Sequence, residues 1–214
     1  VNSNLNIIDS FISNNQAKND VGGAIELNSS DGYVENCVIN ANSASNTAGI
    51  AVISQSNLNI FKTVFYENDS YEYGRGILHI HVNSYAYAEN IVVSHNYSTD
   101  HILSPSSASN LIVKNSIIAN NQFDESLVGN DYDNFSSNVY YDVFNISFSN
   151  IQGGWEGEGN IDFDAQFTDP ENGDFTLQPS SPCIDAGDPN SPLNPDGTRA
   201  DMGAYPTYQG CTEP

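Results

Sequence analysis

The stretch GGAIELNSSDGYVENCVINAN, residues 22–42, is the unit that the first two-thirds of the chain repeats. Its best marker is Ile39, because an apolar residue of the same kind recurs at spacings of 27, 26, 28, 25 and 33 residues. The members of this column are Ile12, Ile39, Phe65, Val93, Ile118 and Ile151. A period of this length with several registered columns indicates a solenoid, in which each coil packs on its neighbours.

Three further columns run in register with the first. Five residues before it stand Ile7, Val34, Ile60, Ala88, Val113 and Ile146. Two residues before those stand Leu5, Gly32, Leu58, Ala86, Leu111 and Phe144. Three residues after the first column stand Asn15, Asn42, Asn68, Asn96 and Asn121, with Gly154 breaking the column in the sixth coil. The two-residue spacing of the apolar columns is typical of strands, and stacked Asn side chains can form an amide ladder.

These patterns predict an all-β parallel β-helix of about six or seven coils, with about three short strands in each coil. The coil sequences YVENCVINAN (residues 33–42) and LIVKNSIIANN (residues 111–121) resemble the repeat of the right-handed parallel β-helix superfamily. This pectate-lyase-like superfamily includes pectate lyases, polygalacturonases, phage tailspikes and many bacterial surface proteins. The resemblance implies a right-handed winding, but enzymes and non-enzymes share the repeat, so it implies no activity.

The period fails after Ile151. Residues 162–205, with SPCIDAG at 181–187 and DGTRADMGAY at 196–205, resemble a segment that closes many secreted bacterial β-helix proteins. We therefore expect coils over residues 1–152, an irregular C-terminal cap of the same domain over residues 153–205, and a linker to a downstream region over residues 206–214. The resemblance also implies a secreted or cell-surface location.

The charge balance restricts the partners. The chain has 27 acidic and 5 basic residues and a net charge of −22, which argues against nucleic acid and anionic membranes. No run of apolar residues is long enough to predict membrane insertion. The lyases of the superfamily that the repeat resembles use a Lys or Arg as catalytic base, and only Lys18, Lys62, Arg75, Lys114 and Arg199 are present here. The residues thus favour a non-catalytic structural or adhesive module that binds a glycan or a cell-surface partner. The alternative is a carbohydrate-active enzyme, either a polysaccharide lyase or a glycoside hydrolase.

One group of residues departs from the repeat in the middle of the chain. All four histidines fall within 23 residues, and six of the twelve tyrosines lie around them. His79 and His81 alternate with apolar residues, so both imidazoles should face outward on one strand. Tyr85 and Tyr87 should share a face of the next strand, where aromatic rings can stack on sugars. The candidate ligand-binding residues are Arg75, His79, His81, Tyr85, Tyr87 and His101.

The acidic C-terminal part is the second candidate site. Seventeen of the 27 acidic residues follow Asn121, and carboxylates in turn-rich chain are suitable calcium ligands. The candidate metal ligands are Asp185, Asp188, Asp196 and Asp201. Of the three cysteines, Cys37 occupies a small buried column, while the spacing of Cys183 and Cys211 leaves a disulfide open. End-to-end or lateral self-association is a further expectation, because the terminal coil of a solenoid offers unpaired strand edges.

Overall fold

The computed structural model describes residues 3–18, 21–106, 108–129 and 143–208. The strands are numbered in chain order, and in the solenoid they form four parallel sheets named A to D. Sheet A contains β1 (Asn4–Ile8), β5 (Asp31–Glu35), β9 (Asn57–Phe61), β13 (Tyr85–Glu89), β17 (Asn110–Lys114) and β21 (Val143–Ser147). Sheet B contains β2 (Phe11–Ser13), β6 (Val38–Asn40), β10 (Val64–Tyr66), β14 (Val92–Ser94), β18 (Ile117–Ala119) and β22 (Asn150–Ile151).

The other two sheets have shorter or fewer strands. Sheet C contains β3 (Gln16–Ala17), β7 (Ser43–Ala44), β11 (Asp69–Ser70), β15 (Tyr97–Ser98) and β19 (Gln122–Phe123). Sheet D contains β4 (Ile25–Asn28), β8 (Ile50–Ile53), β12 (Leu78–Ile80), β16 (His101–Pro105) and β20 (Ser126–Val128). The chain thus visits sheets A, B, C and D in turn. Consecutive strands of each sheet come from consecutive coils, as in a parallel β-solenoid.

The fold class predicted from the sequence is confirmed, with two corrections. The solenoid has about five turns rather than six or seven, because β1 to β20 complete five four-strand coils and the chain leaves the winding after β22. Each coil has four strands rather than three. The missed strands are those of sheet C, which are two residues long and too short to produce a periodic pattern.

The core is a column inside the winding. Two of the three apolar columns lie in sheet A and the third lies in sheet B. Within each sheet, the residues of a column pair with one another from coil to coil, as the repeat predicts. Most of their residues are fully buried in one continuous cluster with the inner residues of sheet D. Such a core is one-dimensional, so each coil is stabilised by burial against its neighbours.

Two corners of the winding have recurrent features: residues with a left-handed backbone conformation at one, and a ladder of Asn side chains at the other. The corner between sheets A and B repeats a positive φ at Asp9, Asn36, Lys62, Asn90, Asn115 and Phe148. Asp and Asn adopt this conformation more readily than other non-glycine residues, which suits them to four of these six positions. At the corner between sheets B and C, the Asn column forms a ladder, with Asn42 donating to Asn68, Asn68 to Asn96 and Asn96 to Asn121 at 2.9–3.0 Å. In the sixth coil Gln152 takes over the ladder by accepting from the Asn121 amide.

The chain after β22 first continues along the end of the solenoid and then turns back along its side. Trp155 packs edge-on against Phe144, with ring centroids 5.0 Å apart, and Ile151 pairs with Ile161. A hairpin follows, formed by β23 (Phe167–Asp169), a 3-10 turn (Pro170–Asn172) and β24 (Asp174–Leu177). Residues 165–205, which we call the flanking segment, lie against the outer face of sheet B.

The flanking segment has a second hydrophobic core, distinct from the first. The outward side chains of sheet B and the inward side chains of the segment form one buried cluster, which includes Val64, Val92, Ile117, Phe167, Phe175, Cys183 and Met202. Cys183 is a buried free thiol whose pKa is raised to about 11 by burial. Its candidate partner Cys211 lies outside the described residues, as does most of the expected linker. Most of the segment expected to close the end therefore covers one side of the solenoid.

Candidate functional site

The outer face of sheet A carries a row of aromatic side chains across three consecutive coils. Tyr33 on β5 lies 5.6 Å from Phe61 on β9, and Phe61 lies 5.8 Å from Tyr87 on β13, measured between ring centroids. Tyr33 and Tyr87 occupy the same register position two coils apart. All three are partly exposed, because alternate residues of a strand point to opposite faces and their neighbours fill the core. We call Tyr33, Phe61 and Tyr87 the aromatic row.

Each tyrosine of the row is fixed by a carboxylate on its own strand. Tyr33 donates a 2.7 Å hydrogen bond to Glu35, and Tyr87 donates a 2.9 Å hydrogen bond to Glu89. The hydrogen bond to Glu35 raises the pKa of Tyr33, while burial and then Glu89 raise the pKa of Tyr87. Both phenols therefore stay protonated at neutral pH, and their rings are held in one orientation.

Amide and carboxylate groups surround the row on the same face. Asn57 donates to Asp31 at 2.8 Å, and Asn59 stands exposed between Tyr33 and Tyr87 in their column. Tyr85 shares the outer side of β13 with Tyr87. The face thus combines flat rings with exposed hydrogen-bonding groups, so it offers both stacking surfaces and polar contacts to a ligand.

The flanking segment forms one border of this face. Lys114 on β17 makes a 2.6 Å ion pair with Asp188, and this pairing lowers the pKa of Asp188. Glu89 accepts hydrogen bonds from Asn115 at 3.0 Å and from Ser191 at 3.1 Å. These contacts tie the loop at residues 188–191 to the edge of sheet A.

A cavity of about 330 Å³ lies on the last coil, where the chain turns back. Asn145, which belongs to the column of Tyr33 and Tyr87, contributes to it. Trp155, Glu156, Gly157 and Glu158 also line it. The cavity thus lies between β21, the last strand of sheet A, and the segment at residues 155–158.

The structure separates the ligand-binding residues predicted from the sequence. Tyr85 and Tyr87 lie on sheet A, as expected for two residues on a common outer face. Arg75, His79, His81 and His101 lie on the sheet D side of the solenoid, beyond a corner at Val82 and Asn83. The six candidates therefore do not form one patch.

His79 alternates with the core residues Leu78 and Ile80, as expected for an outward position, but the expected pair of outward imidazoles on one strand is not formed. His79 is in β12 but only 1% exposed, and His81 follows the end of that strand. The His79 Nδ1 lies 3.1 Å from the Ser104 carbonyl oxygen, and the two imidazoles stack at 5.3 Å. Burial, followed by the charges of Arg75 and His81, lowers the pKa of His79 to about 3. His79 is thus a neutral, structural histidine.

The four predicted metal ligands are dispersed over the flanking segment. Asp188 pairs with Lys114, and Asp201 is buried and accepts from the Asp185 and Thr207 amides. Asp196 accepts from the amide and hydroxyl of Thr198 within its own turn. Within the described residues no three His, Cys, Asp or Glu side chains come close enough to hold a metal ion. Calcium binding stays a prediction.

Sequence reasoning missed Tyr33 and Phe61. Tyr33 lies in the defining repeat of residues 22–42, and a single outward tyrosine on a strand does not by itself indicate a binding site. The signal was available in the columns, because the register that aligns Val34 with Ile60 and Ala88 also aligns Tyr33 with Tyr87. Phe61 was harder to predict, because it does not share the column of the two tyrosines. It pairs with Glu35 and Glu89 and contacts Tyr33 and Tyr87 diagonally.

Among the described residues, no helix is both long enough and apolar enough to cross a membrane. In comparisons with known proteins, no family model, no curated protein and no solved structure matches the chain. The class of protein is therefore defined by its own fold. It is a parallel β-solenoid repeat protein with one side covered by its C-terminal segment and an aromatic row on another.

Proposed function

We propose that this chain is a structural and adhesive module of a secreted or cell-surface bacterial protein, and that it binds a neutral polysaccharide along the aromatic row of sheet A. The repeat and the C-terminal motifs support the location and a right-handed, pectate-lyase-like winding. The observation that carries the binding function is the spacing of Tyr33, Phe61 and Tyr87, which offers one ring per coil on a flat face.

The geometry suits an extended sugar chain. Coils of a parallel sheet repeat at about 4.8 Å, and the ring centroids are 5.6 and 5.8 Å apart. That spacing is comparable with the length of one sugar ring, so successive sugars can contact successive coils. Asn57, Asn59 and Glu35 border the rings and supply hydrogen-bonding groups for sugar hydroxyls. The binding needs no catalytic group on this face.

The charge of the chain selects among glycans. At a net charge of −22, a uronate-rich or sulfated polysaccharide would be repelled. Lys62, the exposed cation beside the row, lies 3.8 Å from Glu35 and is already paired. The favoured ligand is therefore an uncharged polysaccharide, bound by stacking and hydrogen bonds and insensitive to salt.

Affinity electrophoresis and pull-down on a panel of neutral and acidic polysaccharides test this proposal. We expect the wild-type chain to bind at least one neutral polysaccharide at both low and high salt. Tyr87→Ala or Phe61→Ala should weaken this binding by about tenfold, corresponding to about 1.4 kcal/mol, and the double variant should abolish it.

The matched control is Tyr73→Ala, which removes an exposed tyrosine far from sheet A. This variant should bind as the wild type does. The proposal fails if the wild type binds none of the neutral polysaccharides, or if the aromatic-row variants bind as tightly as Tyr73→Ala while remaining folded.

A further inference from the structure

His101 lies between a hydroxyl group and a carboxylate on the sheet D side of the solenoid. Its Nδ1 is 2.9 Å from Ser126 Oγ, and its Nε2 is 3.0 Å from Asp100 Oδ1. Ser126 stands directly opposite His101 in the pairing of β16 with β20. The three side chains form a Ser–His–Asp chain of hydrogen-bonding groups, an arrangement that is recognised by geometry and roles rather than by sequence order.

The carboxylate determines where the imidazole carries its proton. An ionised Asp100 can only accept, so Nε2 is protonated and Nδ1 is left as an acceptor facing the Ser126 hydroxyl. Two carbonyl oxygens compete with this arrangement: that of Val128 lies 2.8 Å from Ser126 Oγ, and that of Ser126 lies 3.3 Å from His101 Nδ1, where it would favour the other tautomer. Activation of the serine requires the hydroxyl rotamer that points at Nδ1, and rotation about one bond reaches it.

The imidazole is also held by the backbone beside it. A Cβ atom at Gly129 would lie 1.5 Å from His101 Cδ2, so only glycine lets the chain after β20 lie against the ring. The Gly129 amide donates to the Leu103 carbonyl at 3.0 Å, which fixes that backbone to β16. The ring is therefore oriented before any substrate arrives, as a catalytic base requires.

The exposure of the group limits what can reach it. The side chains of His101 and Asp100 are 13% and 25% exposed, and Ser126 is partly exposed. A small acyl group can approach such a site, whereas a bulky one would be excluded. The aromatic row lies on a different sheet, so this site and the proposed glycan face are independent.

We propose that Ser126, His101 and Asp100 form a hydrolytic site for short-chain carboxylic esters. Ser126 Oγ attacks the acyl carbon while its proton passes to His101 Nδ1, and this proton then goes to the departing alcohol. Water next attacks the acyl-serine and gives its proton to Nδ1, which returns it to Ser126 as the carboxylic acid leaves. The ester and one water thus become an acid and an alcohol. Asp100 is a positioning residue that holds the tautomer.

The test uses p-nitrophenyl acetate as substrate and a fluorophosphonate as a covalent probe, with the full chain. We expect hydrolysis above background and a phosphonyl adduct at Ser126 in peptide mass spectrometry. Ser126→Ala and His101→Gln should reduce both to background. Asp100→Asn should lower kcat with little change in KM, because the amide still fills the space beside the ring but no longer fixes the tautomer with Nε2 protonated. A merely structural role for Asp100 would not produce this split between kcat and KM.

Ser94→Ala is the matched control, since Ser94 Oγ makes the same kind of contact with His95 Nδ1 at 2.8 Å. This variant should keep the wild-type rate and the label at Ser126. Absence of an adduct at Ser126 in the wild type would overturn the proposal, and so would wild-type hydrolysis by a folded Ser126→Ala variant. Should Ser126→Ala fail to fold, the position of the label in the wild type decides by itself.

Discussion

We expect His79 to make the stability of this protein sensitive to mild acid. Its pKa is lowered to about 3 by burial and by the nearby charges of Arg75 and His81, whereas an unfolded histidine titrates near pH 6.5. Between these values the unfolded chain binds a proton that the folded chain does not, so stability is lost as the pH falls. Urea unfolding at about pH 7, 6 and 5 should show a loss approaching about 1 kcal/mol per pH unit below pH 6.5.

His79→Asn tests whether this one residue is responsible. Its amide can still donate toward the Ser104 carbonyl, which His79 contacts at 3.1 Å, but it does not titrate. The variant should therefore have a flatter dependence of stability on pH between about pH 5 and 6.5. Asp188 does not interfere, because its pKa is lowered from 3.8 and its contribution is lost only in stronger acid. An unchanged slope in the variant would assign the effect to other groups.

Among the elements, the Asn ladder shows how a polar column can stabilise a solenoid. Asn68 donates to Ile39 and Asn96, and its side-chain oxygen accepts from both nitrogens of Asn42, all within the buried corner. Asn68→Ala leaves several buried groups without partners, at about 1–3 kcal/mol each. We expect it to destabilise the protein by several kcal/mol in urea unfolding.

Asn15→Ala is the comparison for that experiment. Asn15 stands at the start of the same ladder, is exposed, and reaches only one neighbouring coil through Asn42. Water can replace its lost hydrogen bonds, so this variant should cost less than about 1 kcal/mol. Equal losses for the two variants would mean that the ladder does not depend on burial.

The elements also show what could and could not be predicted from the sequence. Sheet A was predictable because its five-residue strands alternate, and its inner columns pair as the repeat implies. Sheet B has apolar residues on both faces, as in Val92 and Val93 of β14, which indicates burial on both sides. This pattern indicates that a further segment covers the outer face of sheet B, but it does not show which part of the chain that segment is. The pairing of His101 with Ser126 could not be predicted from the sequence, because the spacing of the repeat is least regular around sheet D.

At the scale of the whole molecule, two sides of the solenoid differ in what covers them. Sheet A is the open face with the aromatic row, and sheet B is covered by the flanking segment. The two are coupled at their shared edge, where Lys114 pairs with Asp188 and Glu89 accepts from Ser191. The segment that stabilises one side therefore also positions a border of the proposed ligand face.

Phe175 is the side chain that anchors the flanking segment to the solenoid. It is 1% exposed and packs against Tyr66 of β10 at 5.2 Å and against Phe167 of its own hairpin at 5.1 Å. Phe175→Ala should cost about 3–5 kcal/mol, and the loss should fall first on the docking of the segment. The outer face of sheet B would then be exposed, because each coil of the solenoid is still held by its neighbours. Limited proteolysis should cut within residues 165–205 before the coils, and a hydrophobic dye should bind.

The control is Phe163→Ala, which removes a phenylalanine that is 65% exposed and should change neither readout. If Phe175→Ala is instead cleaved in the coils and in the flanking segment at the same time, the coils do not stay folded without the docked segment.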